Sequence, residues 1–125
     1  MNRRYFFAGA AAAVVAATQR AVGANDKVNL AFIGVGGRGR QLVDGFAKHP
    51  DVNIAHLVDA DQASLERAFA LLDKRGIKRP PTSTDMRRAF DAADIDGVVV
   101  ATPDHWHTPA ALLACEAGKD VYVEK

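Results

Sequence analysis

A glycine cluster, Gly34-Val35-Gly36-Gly37-Arg38-Gly39, constrains this chain more than any other feature, because of what stands on either side of it. Before it, Val28 to Ile33 is an almost unbroken apolar run, as a strand buried on both faces reads. After it, Gly39, Leu42, Val43 and Phe46 recur at i, i+3, i+4 and i+7, one face of a helix expected to end near His49-Pro50. A buried strand that passes through a tight glycine turn into a helix is the opening of a parallel βαβ unit, since parallel neighbours need a crossover between them.

The remainder repeats the alternation, without internal repeats or a low-complexity linker. Val52 to Val58 reads as a second strand, and Leu65, Ala68, Phe69 and Leu72 as a helix face closed by Gly76. Pro80-Pro81 breaks the chain before a short third strand, Thr82 to Thr84, and a short helix from Asp85 to Ala92. Gly97 to Ala101 is the clearest strand. Thr108 as N-cap and Pro109 at the first helical position open a helix with Ala110, Leu113, Ala114 and Ala117 inward and Gly118 at its end. Val121 to Val123 is a fifth strand. The expected fold is therefore α/β, a doubly wound parallel Rossmann sheet in the order 3-2-1-4-5. The sequence reaches Lys125 directly after a strand, without the helix that should cover it, and is expected to be the first part of a longer protein.

The glycine spacing is the GxGxxG fingerprint of dinucleotide binding. Gly34 makes the turn, Gly36 lets a pyrophosphate approach the backbone, and Gly39 lets helix and strand pack closely, while Gly37 and Arg38 complete the loop. The helix start adds unpaired N–H donors and a positive dipole end, worth roughly 0.3–1 kcal/mol to an exposed anion. An acidic residue should follow about 20 positions on, at the end of the second strand, and Asp59 stands there. Methyltransferases that use S-adenosylmethionine share the glycines but usually carry an acid just before them, where this chain has Ala31-Phe32-Ile33. Asp59 would accept from a ribose 2′-hydroxyl and repel a 2′-phosphate, since like charges near 4 Å cost about 4 kcal/mol at an effective dielectric constant of about 20. NAD is thus expected over NADP, with Arg38 or Arg40 as residues that would soften the choice.

A second cluster, Thr102-Pro103-Asp104-His105-Trp106-His107, follows the fourth strand, at the edge where open α/β sheets bind ligands. Trp106 would stack on a ring or fill a gap between domains. Asp104, His105 and His107 raise a metal site, which is disfavoured because one turn rarely presents three side chains convergently. His49 and His56 have no such context and read as spectators.

Thr102 to His107, the helix end Glu116-Ala117-Gly118-Lys119 and the terminal Val123-Glu124-Lys125 resemble the amino-terminal half of the Gfo/Idh/MocA oxidoreductases, and the resemblance extends over Lys27 to Lys125. It implies a bound nicotinamide cofactor, contacts to it from Thr102, Pro103, Trp106 and Glu124, and a sugar or polyol substrate. It also implies catalytic roles for Lys125, as the Lys of a Glu-Lys-Pro ending near the nicotinamide and substrate, and for His107. A lysine beside a positively charged ring gives up its proton more readily, which suits proton transfer coupled to hydride transfer. A second, largely antiparallel domain with most substrate contacts is implied as well, and the whole protein is expected to be a homo-oligomer. Rival expectations are a glycoside hydrolase of the same fold that oxidises and then restores its sugar, and a non-catalytic sugar- or nucleotide-binding protein.

The N-terminus carries a different signal. Asn2-Arg3-Arg4-Tyr5-Phe6-Phe7, an alanine-rich run to Ala17, and Val22-Gly23-Ala24 form a basic region, a short apolar region and small residues before a cut. The paired arginines followed by aromatics resemble a twin-arginine export signal. The apolar run is shorter than the roughly 18 residues a membrane span needs. Residues 1–24 are therefore expected to be a signal peptide cleaved after Ala24, the export machinery a partner, the mature protein periplasmic, and 25–125 the nucleotide-binding domain. Of 16 basic residues, Arg3, Arg4 and Arg20 belong to this signal, leaving 13 against 15 acidic. That balance gives no electrostatic case for nucleic acid. Cys115 is the only cysteine, so no intrachain disulfide can form.

Overall fold

The computed structural model describes residues 27–125; the signal peptide expected at 1–24 lies outside the described residues. Five strands, β1 (Val28–Ile33), β2 (Val52–Val58), β3 (Thr82–Ser83), β4 (Gly97–Val100) and β5 (Asp120–Val123), form one parallel sheet in the order β3-β2-β1-β4-β5. The α-helices are α1 (Gly37–Phe46), α2 (Gln62–Lys74), α3 (Arg87–Asp91) and α4 (His107–Glu116). This is the expected doubly wound sheet.

Alternation along the strands splits the core into two layers. Phe32, Leu57 and Val99 point to one face, where they meet Val43 of α1 and Leu65, Ala68 and Leu72 of α2. Ala31, Ile33, Val58, Val98 and Val100 point to the other, against Ala89 and Phe90 of α3 and Ala110 and Ala114 of α4. All four residues of β4 are buried, which is why it reads as a continuous apolar run rather than an alternating one. In β2 the spacing is irregular, with Ile54 and Leu57 three apart on the same face. A bulge accounts for this: Leu30 pairs Ile54 and Ala31 pairs His56, so Ala55 is the extra residue.

Two expectations are corrected. α4 begins at His107, not after a Thr108 cap: a 3-10 turn over Asp104–Trp106 feeds straight into it, its Trp106 N–H donating to the Pro103 carbonyl at 2.9 Å. Thr108 and Pro109 therefore fall inside the first turn, where proline's missing N–H costs no helical bond. The third strand and its helix are also shorter than the patterns indicated, Thr82–Ser83 and Arg87–Asp91. At the end of α4, Gly118 takes φ +73°, and the Lys119 side chain ties the α3–β4 loop by donating to the carbonyls of Ala92 and Ile95, each at 2.8 Å. Among the described residues no helix is long and apolar enough to cross a membrane.

Candidate nucleotide site

The first turn of the sheet is built by glycines with separable duties. Gly34 has φ +83°, and a Cβ there would come within 2.8 Å of the Ala101 carbonyl oxygen, so the turn passes too close to the end of β4 for any side chain. A Cβ on Gly39 would run into the Gly34 carbonyl oxygen, since α1 lies directly on the turn. Gly36 and Gly37 are different, because a Cβ on either would meet no atom of the described residues within 4 Å. Packing among the described residues does not demand glycine at these two positions. Gly36 is the N-cap of α1 and makes no side-chain cap, which leaves the first helical N–H groups for another acceptor.

Asp59, at the end of β2, is half-buried and engaged. Its Oδ2 accepts from the Val35 N–H at 2.8 Å and its Oδ1 from the Asp61 N–H at 2.9 Å, while its own N–H donates to the Ser83 carbonyl at 3.2 Å. Asp61 caps α2, accepting from the Ala63 N–H at 3.1 Å and the Ser64 hydroxyl at 2.9 Å. The Ser64 hydroxyl, above all, holds the Asp61 carboxyl below the usual carboxylate range.

A cleft of about 1100 Å³ opens at this edge of the sheet. Gly34, Gly36 and Asp59 line one side, and Thr102, Pro103 and Trp106 the other. Six of the expected site residues are thus brought together. A third wall was not foreseen: Ala60, Asp61 and Ser64 from the start of α2, and Thr84, Asp85, Met86 and Arg87 from the β3–α3 turn. Asp61 was readable as an Asp-x-x-Ser cap; the β3–α3 turn follows a strand of only two residues and left no periodic trace. In this wall the Arg87 guanidinium donates to Asp85 Oδ1 at 3.1 Å and keeps that carboxyl low. Of the three carboxylates in the lining, Asp85 is paired with Arg87 and Asp61 with Arg67 at 3.4 Å, while Asp59 has no ion-pair partner among the described residues.

The other expected residues lie outside the cleft lining. Arg38 turns to Glu124, with a 3.0 Å ion pair, and also bonds Gln41 at 3.2 Å. Glu124 additionally accepts from the Lys125 N–H at 3.2 Å, and this bond, followed by Arg38, holds its carboxyl low. The pair ties the start of α1 to the end of β5. His107 donates from Nε2 to the Thr102 carbonyl at 2.7 Å and fixes the turn after β4. Lys125 is exposed beyond β5; since Val100 pairs Val123, it lies at the same C-terminal edge as Thr102. Trp106 is 47% exposed, its ring beside His105 at 5.9 Å. Among the described residues no three His, Cys, Asp or Glu side chains are grouped to hold a metal ion, and His107 is already turned to Thr102.

The site suits NAD on two observations of this chain. Thr102 lines the cleft, and its hydroxyl oxygen is buried with no hydrogen-bond partner among the described residues, a state that normally points to a missing partner. The open side of Gly36 is also where a pyrophosphate would approach α1. The residues placed to hold such a cofactor are Gly36 and Gly37 for the pyrophosphate, Asp59 for a ribose, and Thr102 in the opposite wall.

Known proteins agree with this geometry. The model of an oxidoreductase family, NAD-binding Rossmann fold, GFO_IDH_MocA, matches residues 28–125. A glycosyl hydrolase family 109 protein of Stenotrophomonas maltophilia (strain K279a) is 35% identical over 133 residues, which cover 99% of this chain and 29% of the relative. Two solved structures resemble the fold: GenD2 from gentamicin A biosynthesis in complex with NAD, at TM-score 0.68 and 28% identity, covering 80% of this chain and 27% of that one; and levoglucosan dehydrogenase in complex with NADH, at TM-score 0.65 and 27% identity, covering 80% and 28%. The chain thus spans less than a third of the length of each. The chain belongs to the Gfo/Idh/MocA oxidoreductase family and forms its NAD-binding Rossmann domain.

Proposed function

We propose that this chain is the cofactor-holding part of an exported oxidoreductase that moves hydride between a sugar or polyol and a tightly held NAD. The observation that carries the reading is the cleft itself, where an uncapped helix start at Gly36 meets a carboxylate, Asp59, at the end of the neighbouring strand. When bound, NAD supplies the hydride acceptor. The chain's own residues bind and orient: the glycine loop and Asp59 hold the nucleotide, and Thr102 with Pro103 and Trp106 forms the wall at the other side. In this reading Lys125 takes or returns the proton of the substrate hydroxyl, with His107 securing the turn beside it. Asp59, the lining carboxylate without an ion-pair partner among the described residues, opposes a 2′-phosphate, which favours NAD over NADP.

Export by the twin-arginine route, which carries folded proteins, would let the cofactor be loaded before departure. A protein working away from cytoplasmic NAD then needs a closed cycle, oxidising one sugar and reducing another, or oxidising and re-reducing the same one. The name of the Stenotrophomonas relative, a glycosyl hydrolase, supports the second form, in which the sugar is restored and a glycosidic bond is cleaved.

The test is to purify the full-length protein without added nucleotide and examine it by absorbance and denaturing mass spectrometry, then to assay sugar oxidation and glycoside cleavage. Stoichiometric NAD surviving gel filtration is expected. Nucleotide-free protein that turns over only with millimolar NAD contradicts the closed cycle. Glycoside cleavage without net NADH selects the hydrolytic form.

A further inference from the structure

We propose that Asp59 braces the glycine loop as well as reading the ribose, so that the pyrophosphate cradle and the 2′-hydroxyl contact form one mechanical unit. Cofactor preference then cannot be altered at Asp59 without loosening the cradle. The inference concerns the chain's own architecture; only its consequence for NADP rests on the proposed function above.

The argument begins at Val35. Its residue is fully buried, packed with Phe32, Val43 and Leu57 on the α1–α2 face of the sheet. β1 has ended two residues earlier, and the last sheet-like bond of the turn is the Gly34 N–H to the Val58 carbonyl at 2.8 Å. Turning Val35 inward therefore withdraws its N–H from water with no ladder partner left, and a buried donor without an acceptor is costly. Asp59 Oδ2, at 2.8 Å, is the acceptor that makes this conformation tenable.

The same carboxylate is held from the far side by the Asp61 N–H on Oδ1, and its backbone is fastened to β3 through Ser83. It therefore joins the glycine loop to the start of α2 and the edge of the sheet. Val35 immediately precedes Gly36, the N-cap from which α1 presents its free N–H groups, so a change at Val35 re-aims those donors. An ionised carboxylate has about four acceptor positions. Two are used by the loop amides, and two remain for the hydroxyls of a ribose.

The test uses the full chain with Asp59→Asn and Asp59→Ser. Asparagine keeps the shape but turns one acceptor oxygen into a donor, so it cannot serve both amides; serine is too short to reach Val35. Amide hydrogen exchange over residues 34–39 in protein stripped of bound nucleotide should quicken by about tenfold or more in Asp59→Ser and by less in Asp59→Asn. Neither variant should bind NADP more than a few-fold tighter than the unaltered chain, because the loosened loop offsets the removed charge. Where Asp59→Ser fails to fold, Asp59→Asn carries both measurements. Unchanged exchange at 34–39 overturns the brace, and a tenfold gain in NADP affinity in either variant overturns the coupling. If the unaltered chain binds neither nucleotide, the proposed function fails, while the exchange comparison still decides the brace.

Discussion

At the scale of single residues, the glycine loop separates positions that serve the chain's own packing from those that do not. Gly39→Ala forces a methyl group into the Gly34 carbonyl, and overpacking of this kind costs roughly 1–3 kcal/mol. Alanine's better helix propensity, worth about 1 kcal/mol, recovers only part. Gly36→Ala meets no atom of the described residues. Gly36→Ala should therefore lose at least tenfold in NAD affinity while its stability falls only by the N-cap preference for glycine over alanine, whereas Gly39→Ala should melt several degrees lower. Thermal melts paired with NAD titration check both, and a Gly36→Ala chain of undiminished affinity would remove the pyrophosphate from that side of the loop. This division of duties was legible in the sequence, because the fingerprint is local: Gly34, Gly36, Gly39 and Asp59 are fixed by spacing alone. The Arg38–Glu124 pair was not, since it joins residues 86 apart and neither partner's local pattern names the other. Nor was the engagement of Asp59 with the Val35 N–H, which depends on how the turn after β1 folds back.

At the scale of elements, strong periodicity gave the order of strands and helices, and tertiary packing trimmed their ends. β4 is buried along its whole length and its apolar run says so; β3 and α3 are too short to carry a period, so the residue pattern overstates their length. The start of α4 followed propensity in the sequence and the preceding 3-10 turn in the structure. The elements are also tied at the surface by carboxylates whose pKa values folding lowers. Arg75 of the α2 end bonds Asp44 of α1 from Nε at 2.7 Å, Arg79 bonds Asp73, and Asp61 caps α2. Each carboxyl sits below the ordinary 3.8, through its arginine or, for Asp61, chiefly through Ser64. Each therefore adds stability that is complete above that value and is lost as the pH falls through the folded one. His56 adds an earlier stage. Burial in β2 holds it below the ordinary 6.5, with Asp94 opposing more weakly. The unfolded chain thus takes up that proton first, and stability begins to fall once the pH drops below about 6.5. Urea midpoints measured from pH 8 to pH 3 should decline in two stages, and His56→Gln should abolish the upper one. A flat profile down to pH 4 in the unaltered chain would contradict this assignment.

For the whole molecule, the site sits where a doubly wound sheet reverses its strand order, with β1 at the centre and β2 and β4 on either side. The glycine loop follows β1, Asp59 ends β2 and Thr102 follows β4, so topology alone converges residues drawn from three separate parts of the chain. Export is proposed on the sequence outside the described residues, and Arg3→Lys with Arg4→Lys should leave the precursor in the cytoplasm; unchanged processing of the double variant counts against the route. The central claim, that this cleft holds NAD, is tested most directly by equilibrium titration with NAD and with NADP of the purified full-length protein after any bound nucleotide has been stripped from it. One NAD per chain, bound at least tenfold more tightly than NADP and weakened at least tenfold by Gly36→Ala, is the expected result. Failure to bind NAD, or a preference for NADP, would contradict the account.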